Sequence, residues 1–212
     1  MAVIKQKEQR VAMLIDTQNL YHSARNLYSA KVNFGAVLKE AVAGRHLVRA
    51  IAYVITTEAE DEKNFFEALN SLGIETKTKD LQIFFGGAKK ADWDVALAVD
   101  AIRFAPKVDA IIIASGDGDF WPLVEHLKST GTQVEVITFG RSASGRLREV
   151  ADDFIDMGDD PRRYLMGSYG VRSNNRSPNI PESVNTGSEN KRGPRRTARK
   201  QTSKRKESPS KE

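Results

Sequence analysis

Apolar and polar positions follow two periods along this chain. Short apolar runs at 11–16 (VAMLID), 47–56 (LVRAIAYVIT), 81–86 (LQIFFG), 110–116 (AIIIASG) and 133–139 (QVEVITF) predict strands, and FIDM at 154–157 predicts a short sixth. Most of these runs are continuously apolar, the pattern of strands covered on both faces. Amphipathic stretches of helical length lie between them, at 20–27, 34–43, 60–72, 93–104, 120–129 and 145–151. Strand and helix in alternation predict an open α/β sheet with parallel strands.

The pattern stops after about residue 160. From 168 onward the chain is rich in Ser, Asn, Pro, Lys and Arg and almost free of large apolar side chains. Such a segment cannot bury enough surface to offset its ordering entropy, which predicts a disordered tail over 168–212. Charge follows the same division. Residues 1–157 carry 19 Lys and Arg against 22 Asp and Glu, and residues 158–212 carry 14 against 6, so the net charge of +5 resides in the tail. The run KRGPRRTARKQTSKRK at 191–206 has no aromatic residue to stack on a base. It suits nucleic-acid backbone, bound by counterion release without reading of sequence, or else serves only to solubilise the chain.

Composition removes several classes of chemistry. The 212 residues include no cysteine, which excludes disulfides, thiolate catalysis and thiolate metal sites. His22, His46 and His126 form no close-spaced pair, so a metal would be held by oxygen. No apolar run approaches the roughly 20 residues that cross a bilayer, and the start of the chain has no stretch like a signal peptide. A cytoplasmic protein with no membrane partner is expected.

The chemistry that remains lies in carboxylates. In an open parallel sheet, ligands bind beyond the carboxyl ends of the strands. Asp16 ends the first predicted strand, and Asp117 and Asp119 follow the fourth in the turn SGDGDF. Asp94, at the start of a predicted helix, opens onto the same edge. Four carboxylates in one place repel unless a proton or cation intervenes. Hard oxygen donors suit Mg²⁺ or Mn²⁺, and phosphodiester hydrolysis is the chemistry such a site supports.

Each residue also has a plainer reading. An Asp at a strand end or helix start is commonly a turn former or cap, so Asp119 stands as either a ligand or the cap of the helix at 120–129. Asp92 reads as the cap of the helix at 93–104, which leaves Asp94 for the site, but the two could exchange these roles, and Asp92 could also support the site from behind the ligands, as could Asp100. Asp100 sits in the apolar stretch VALAVDAI and must assist the site or bond a nearby backbone group. Lys90, with Lys89, could steady a phosphate; Asn19 could orient Asp16 or cap the first helix; Ser115 could contact a phosphate or complete its turn. An EF-hand fails because Trp121 stands where a ligand should be, GGAKK lacks the ending of a phosphate loop, and no G-x-S-x-G elbow occurs. A receiver domain fails because LQIFFGG offers no aspartate.

With LIDTQNL, KKADWDVALAVDA, SGDGDF and ADDFIDM in this order, the chain resembles the NYN domain family, in the LabA-like branch of the PIN-like nuclease superfamily. The resemblance covers roughly 9–158. It implies a Rossmann-like, PIN-like three-layer sandwich with a mostly parallel central sheet of five or six strands. It also implies an acidic pocket for a divalent metal and cleavage or processing of RNA. Matched by motif, Asp16, Asp94, Asp117 and Asp119 are the acids of that pocket, Asn19 is the companion of Asp16, and Asp100 is a recurrent acid.

Two functions are therefore expected from different classes. The first is an endoribonuclease in which Asp16, Asp94, Asp117 and Asp119 hold Mg²⁺ or Mn²⁺ while Lys90 steadies the scissile phosphate, leaving a 5′-phosphate and a 3′-hydroxyl. The second is a non-catalytic regulator of gene expression that holds RNA or a protein through the fold and the basic tail. The helix around Trp121 could offer a homodimer face.

Overall fold

The computed structural model describes residues 3–56, 62–80, 82–83, 89–90 and 92–167, with side chains undescribed at 62, 82–83 and 89–90. The tail expected over 168–212 lies outside the described residues.

Six parallel strands form the central sheet: β1 (Arg10–Asp16), β2 (His46–Thr56), β3 (Glu75–Asp80), β4 (Ala110–Ala114), β5 (Gln133–Thr138) and β6 (Asp153–Asp156). Their order across the sheet is β3-β2-β1-β4-β5-β6. The order reverses between β1 and β4, where connections leave in opposite directions and a crevice opens at the carboxyl edge. Ile15 of β1 registers with Ala114 of β4. The next residues along each chain, Asp16 and Ser115, therefore emerge side by side at that crevice.

Helices cover both faces. Val11, Met13 and Ile15 of β1 face one way, into a core with Leu20, Ala24 and Tyr28 of α1 (Thr17–Tyr28), Val37 and Ala41 of α2 (Phe34–Val42) and Leu69 of α3 (Glu62–Ser71). Ala12 and Leu14 face the other way, toward Leu97 and Ala101 of α4 (Asp94–Phe104), Leu123, Val124 and Leu127 of α5 (Trp121–Ser129) and Leu147 of α6 (Gly145–Val150). The result is the expected three-layer α/β sandwich, and the alternation of β1 follows from the two-residue period of a strand.

The sheet corrects one expected strand. The third strand is ETKTKD at 75–80, on the edge beyond β2, rather than the apolar run at 81–86. Within that run, Gln82–Ile83 pairs antiparallel with Lys89–Lys90 outside the main sheet, and the rest lies outside the described residues. An edge strand is wet on one side, so charge and β-branched Thr replace the apolar run of a central strand. Lys77 and Lys79 pack over the rings of Tyr53 and Trp93, each 5.9 Å from the centroid. The Lys77 ammonium also donates to the buried Asp100 carboxylate, and that of Lys79 to the Asp92 carbonyl at 3.3 Å.

Candidate acidic site at the sheet switch point

A chain of hydrogen bonds fastens the end of β1 to the turn after β4. Asp16 caps α1: its Oδ1 accepts from the Asn19 amide at 3.0 Å, and its Oδ2 accepts from the Ser115 hydroxyl at 3.0 Å. Ser115 Oγ in turn accepts from the Asp117 amide at 3.1 Å, and Asn19 Oδ1 accepts from the Gly116 amide at 2.8 Å. Asp117 Oδ1 accepts from the Asp119 amide at 3.0 Å and so caps the 3₁₀ turn Gly118–Phe120 that leads into α5. Gly116 suits a tight place, because a Cβ would lie 3.0 Å from Thr138 Oγ1 and 3.1 Å from the Ala143 backbone and would press both neighbours outward.

These bonds correct three of the plainer readings. Asn19 lies inside α1 and braces the β4 turn, while Asp16 is the cap. The cap of the GDGDF turn is Asp117 rather than Asp119, whose side chain is exposed. The cap position of α4 is Trp93, with no side-chain bond to the helix, so Asp92 does not cap it. Trp93 instead donates its indole N–H to the Val54 carbonyl at 3.0 Å and packs on Tyr53, with ring centroids 5.5 Å apart. That contact fixes the start of α4, and hence Asp94, against the end of β2. The aromatic residue within ADWDV was the signal for it.

The carboxylates share one electrostatic environment. Burial first, then the charges of Asp117, Asp16, Asp92 and Asp119, push the Asp94 carboxyl up to about 6. Asp16 is also raised, by burial above all and further by Asp117, against bonds from the Asn19 and Gln18 amides and Ser115 that draw it down. Ser115 is buried, and its hydroxyl is engaged on both sides within the turn. It therefore positions Asp16 and Asp117.

Asp100 belongs elsewhere. It is buried among side chains, accepting from the Tyr53 hydroxyl at 2.8 Å and from the Lys77 ammonium, with the Arg103 guanidinium 3.7 Å away. Burial opposes its ionisation, but the bonds from Lys77 and Tyr53 outweigh that and hold it below the usual carboxylate range. Lys90 lies on the short pairing with Gln82, and its side chain falls outside the described residues.

The donor set suits a hard divalent cation in charge and in kind: carboxylate oxygens, an Asp94 raised by burial and then by its acidic neighbours, and no thiolate. Among the described residues, however, no three acidic or histidine side chains stand together as a ready ligand shell for one ion. Beyond the crevice, the outer face of α1 borders a groove of about 570 Å³ lined by Tyr21, Arg25, Asn26, Ser29, Ala30 and Lys31. It carries two cations and no acid. No described helix is long and apolar enough to cross a membrane.

Comparison with known proteins gives a consistent result. The NYN domain family model matches residues 10–158. The chain is 27% identical over 161 residues to the Low amplitude and bright protein LabA of Synechococcus elongatus, covering 71% of this chain and 84% of that protein. It is 30% identical over 158 residues to an uncharacterised protein of Methanocaldococcus jannaschii, covering 72% of this chain and 57% of that longer protein. A crystal structure of a protein of unknown function from Vibrio parahaemolyticus superposes with a TM-score of 0.70 at 32% identity, over 77% of this chain and all of the other.

Proposed function

The chain belongs to the NYN domain family, in its LabA-like branch, and on that premise we propose that it is a divalent-metal-dependent endoribonuclease acting at the switch-point crevice. The observation that carries the reading is the hydrogen-bonded junction that brings Asp16 to the turn of Asp117, with Asp94 close enough that both acids, after burial, help to push it up to about 6. Neighbouring carboxylates of this kind are relieved by a proton or a cation, and a divalent cation would serve the scissile phosphate of RNA as well.

Asp16, Asp94 and Asp117 would supply oxygens to the ion, which would have to draw them closer together than they stand, with Asp119 on the exposed rim of the turn. A divalent ion there supplies charge neutralisation for the phosphate and acidifies an attacking water. The protein's own part is positioning. Ser115 and the Asn19 amide aim the two oxygens of Asp16, Asn19 braces Gly116, and Trp93 anchors the helix that presents Asp94. The cations of the Arg25 and Lys31 groove would receive the RNA backbone, and Lys90 and the basic tail would add to that attraction.

The second reading, a regulator that binds RNA or protein without cleaving, is favoured by one observation: the described acids are not assembled around a single ion. One assay separates the two. Purified protein is incubated with single-stranded RNA in Mn²⁺, in EDTA, and as the Asp117→Asn variant. The nuclease reading expects cleavage in Mn²⁺ alone, lost in EDTA and lost in Asp117→Asn with the thermal unfolding temperature retained. Cleavage that persists in pure Asp117→Asn overturns the assignment. Binding without cleavage in any metal favours the regulator.

A further inference from the structure

Arg146 stands over the indole of Trp121, its guanidinium carbon 3.4 Å from the ring centroid, and at that distance only a guanidinium close to parallel with the ring avoids a clash. That is stacking distance; the next shortest such contact among the described residues, Arg148 over Phe154, is 4.4 Å. The pair stands beside the acidic turn. Gly118–Phe120 is a 3₁₀ turn, and Trp121 opens α5 directly after it. Residues three apart in such a turn eclipse one another, so Gly118 and Trp121 lie on one side of it. Along that side runs the segment 144–146: a Cβ on Gly118 would sit 3.1 Å from Ser144, and the Ser144 amide donates to the Gly116 carbonyl at 3.0 Å. Residues 144–146 thus wall the turn that carries Asp117 and Asp119, and Arg146 crowns the wall.

The outer face of Arg146 is open. Its side chain is 56% exposed, and the acid nearest it, Glu125, is itself half exposed at 4.0 Å. A pair so exposed and so long holds Arg146 weakly. A planar cation supported from beneath by an aromatic ring is a surface on which an unpaired base stacks.

We propose that Arg146, held flat by Trp121, is a stacking platform for one unpaired nucleobase of an RNA strand whose backbone crosses the Asp117–Asp119 turn. The inference rests on the ribonuclease reading of that crevice and adds a substrate class: RNA that is single-stranded at this nucleotide. A base within a duplex is paired and stacked on its neighbours and cannot lie on the platform. Every base has a π face, so the platform selects strandedness rather than sequence.

The test measures binding apart from cleavage. Full-length protein is titrated in EDTA into three fluorescent RNA probes of equal length: an intact single strand, a fully abasic single strand, and a blunt duplex. Arg146→Lys keeps the charge and removes the plane. Stacking on one base carries roughly a fivefold to hundredfold preference, so Arg146→Lys should bind the intact strand at least about fivefold more weakly than the unaltered chain. Its affinity for the abasic strand and the duplex should be unchanged. Trp121→Phe, which keeps an aromatic support, should fall between the two. Thermal unfolding of each variant shows that the fold is retained.

Equal affinity of Arg146→Lys and the unaltered chain for the intact strand overturns the platform. So does an equal loss on all three probes, which would make Arg146 only a charge. A base-dependent difference in a chain that never cleaves RNA leaves the platform standing and defeats the nuclease reading. Cleavage by a chain that shows no base-dependent difference does the reverse.

Discussion

The Ser115 hydroxyl donates to Asp16 Oδ2 across 3.0 Å, joining residues 99 positions apart and tying β1 to the turn after β4. The same oxygen accepts from the Asp117 amide, so one buried hydroxyl orders two of the four carboxylates. In Ser115→Ala, Asp16 loses a bond that opposes the effect of burial, and the Asp117 amide loses its acceptor. The Asp16 carboxyl should titrate higher than in the unaltered chain, read by NMR of the carboxyl carbon. Stability should fall by roughly 1–3 kcal/mol, the cost of stranding a buried polar group, read from the denaturant midpoint. An unmoved Asp16 titration would show that Ser115 does not set it.

Asp94 should make the metal-free protein less stable as pH rises. Its carboxyl is raised to about 6 in the folded chain from an ordinary value of 3.8. Between those values the folded state holds a proton that the unfolded state has released, so stability from this group is present at low pH and is lost as pH climbs through about 6. Acids whose values are lowered, such as Glu75 and Asp100, act in the opposite direction and obscure the total. The comparison with Asp94→Asn isolates the effect. In EDTA the variant should unfold at a higher temperature than the unaltered chain at pH 7.5, and the gap should narrow as pH falls below about 6 and close only as pH approaches the ordinary value of 3.8. Mn²⁺ should stabilise the unaltered chain more at pH 7.5 than at pH 5, because an ionised ligand is needed.

Much of this arrangement was legible in the sequence. Continuous apolar runs mark β1, β2, β4 and β5 because those strands are covered on both faces, and four short motifs locate the acids at strand ends and helix starts. The edge strand at 75–80 was not legible, because its Lys and Thr residues use stems and β-branches where a central strand uses whole apolar side chains. The caps were misassigned for a related reason. An Asp before a helix signals a cap, but which Asp takes the position depends on the Ser115 and Asn19 bonds, which reach across the sheet. Asp100, an acid in an apolar stretch, was expected to assist the site or to bond a nearby backbone group, yet its partners are the side chains of Tyr53 and Lys77, on strands far from it in sequence.

Removal of Asp100 should damage the fold rather than the proposed chemistry. Its carboxylate takes bonds from Tyr53 and Lys77 at the junction of β2, β3 and α4. Asp100→Ala would leave the buried Tyr53 hydroxyl without its acceptor, at a cost of roughly 1–3 kcal/mol. The urea midpoint should drop accordingly. Cleavage of single-stranded RNA at 25 °C, where the variant is still folded, should stay within about twofold of the unaltered rate. A loss as large as that of Asp117→Asn would return Asp100 to the site.

The groove on α1 should govern affinity and its response to salt. Arg25→Glu with Lys31→Glu replaces two cations by two anions on a surface lined by no acid. Binding of single-stranded RNA should weaken at low salt, and the slope of log affinity against log salt should shrink by about one to two, as fewer counterions are released per strand bound. Filter binding between 50 and 300 mM salt measures both. Unchanged affinity and slope would remove the groove from the path of the RNA.

Arg45 and Glu135 should form the costliest single pair to break. Both side chains are fully buried, and the guanidinium meets the two carboxylate oxygens at 2.5 and 2.8 Å. Arg45 also donates to the carbonyls of Ala41 and Val42, so it joins the end of α2 to the amino-terminal half of β5. Lys5 at 3.2 Å and Gln133 at 2.6 Å complete the shell around Glu135. Glu135→Leu strands a buried cation, an error that typically costs 3–5 kcal/mol. Adding Arg45→Met removes that cation as well, so the double variant should recover part of the loss although it has lost both charges. Urea unfolding of the two single variants and the double variant measures the coupling. If the double variant is less stable than Glu135→Leu by the full cost of Arg45→Met alone, the two residues are independent and the pair does not hold α2 to the sheet.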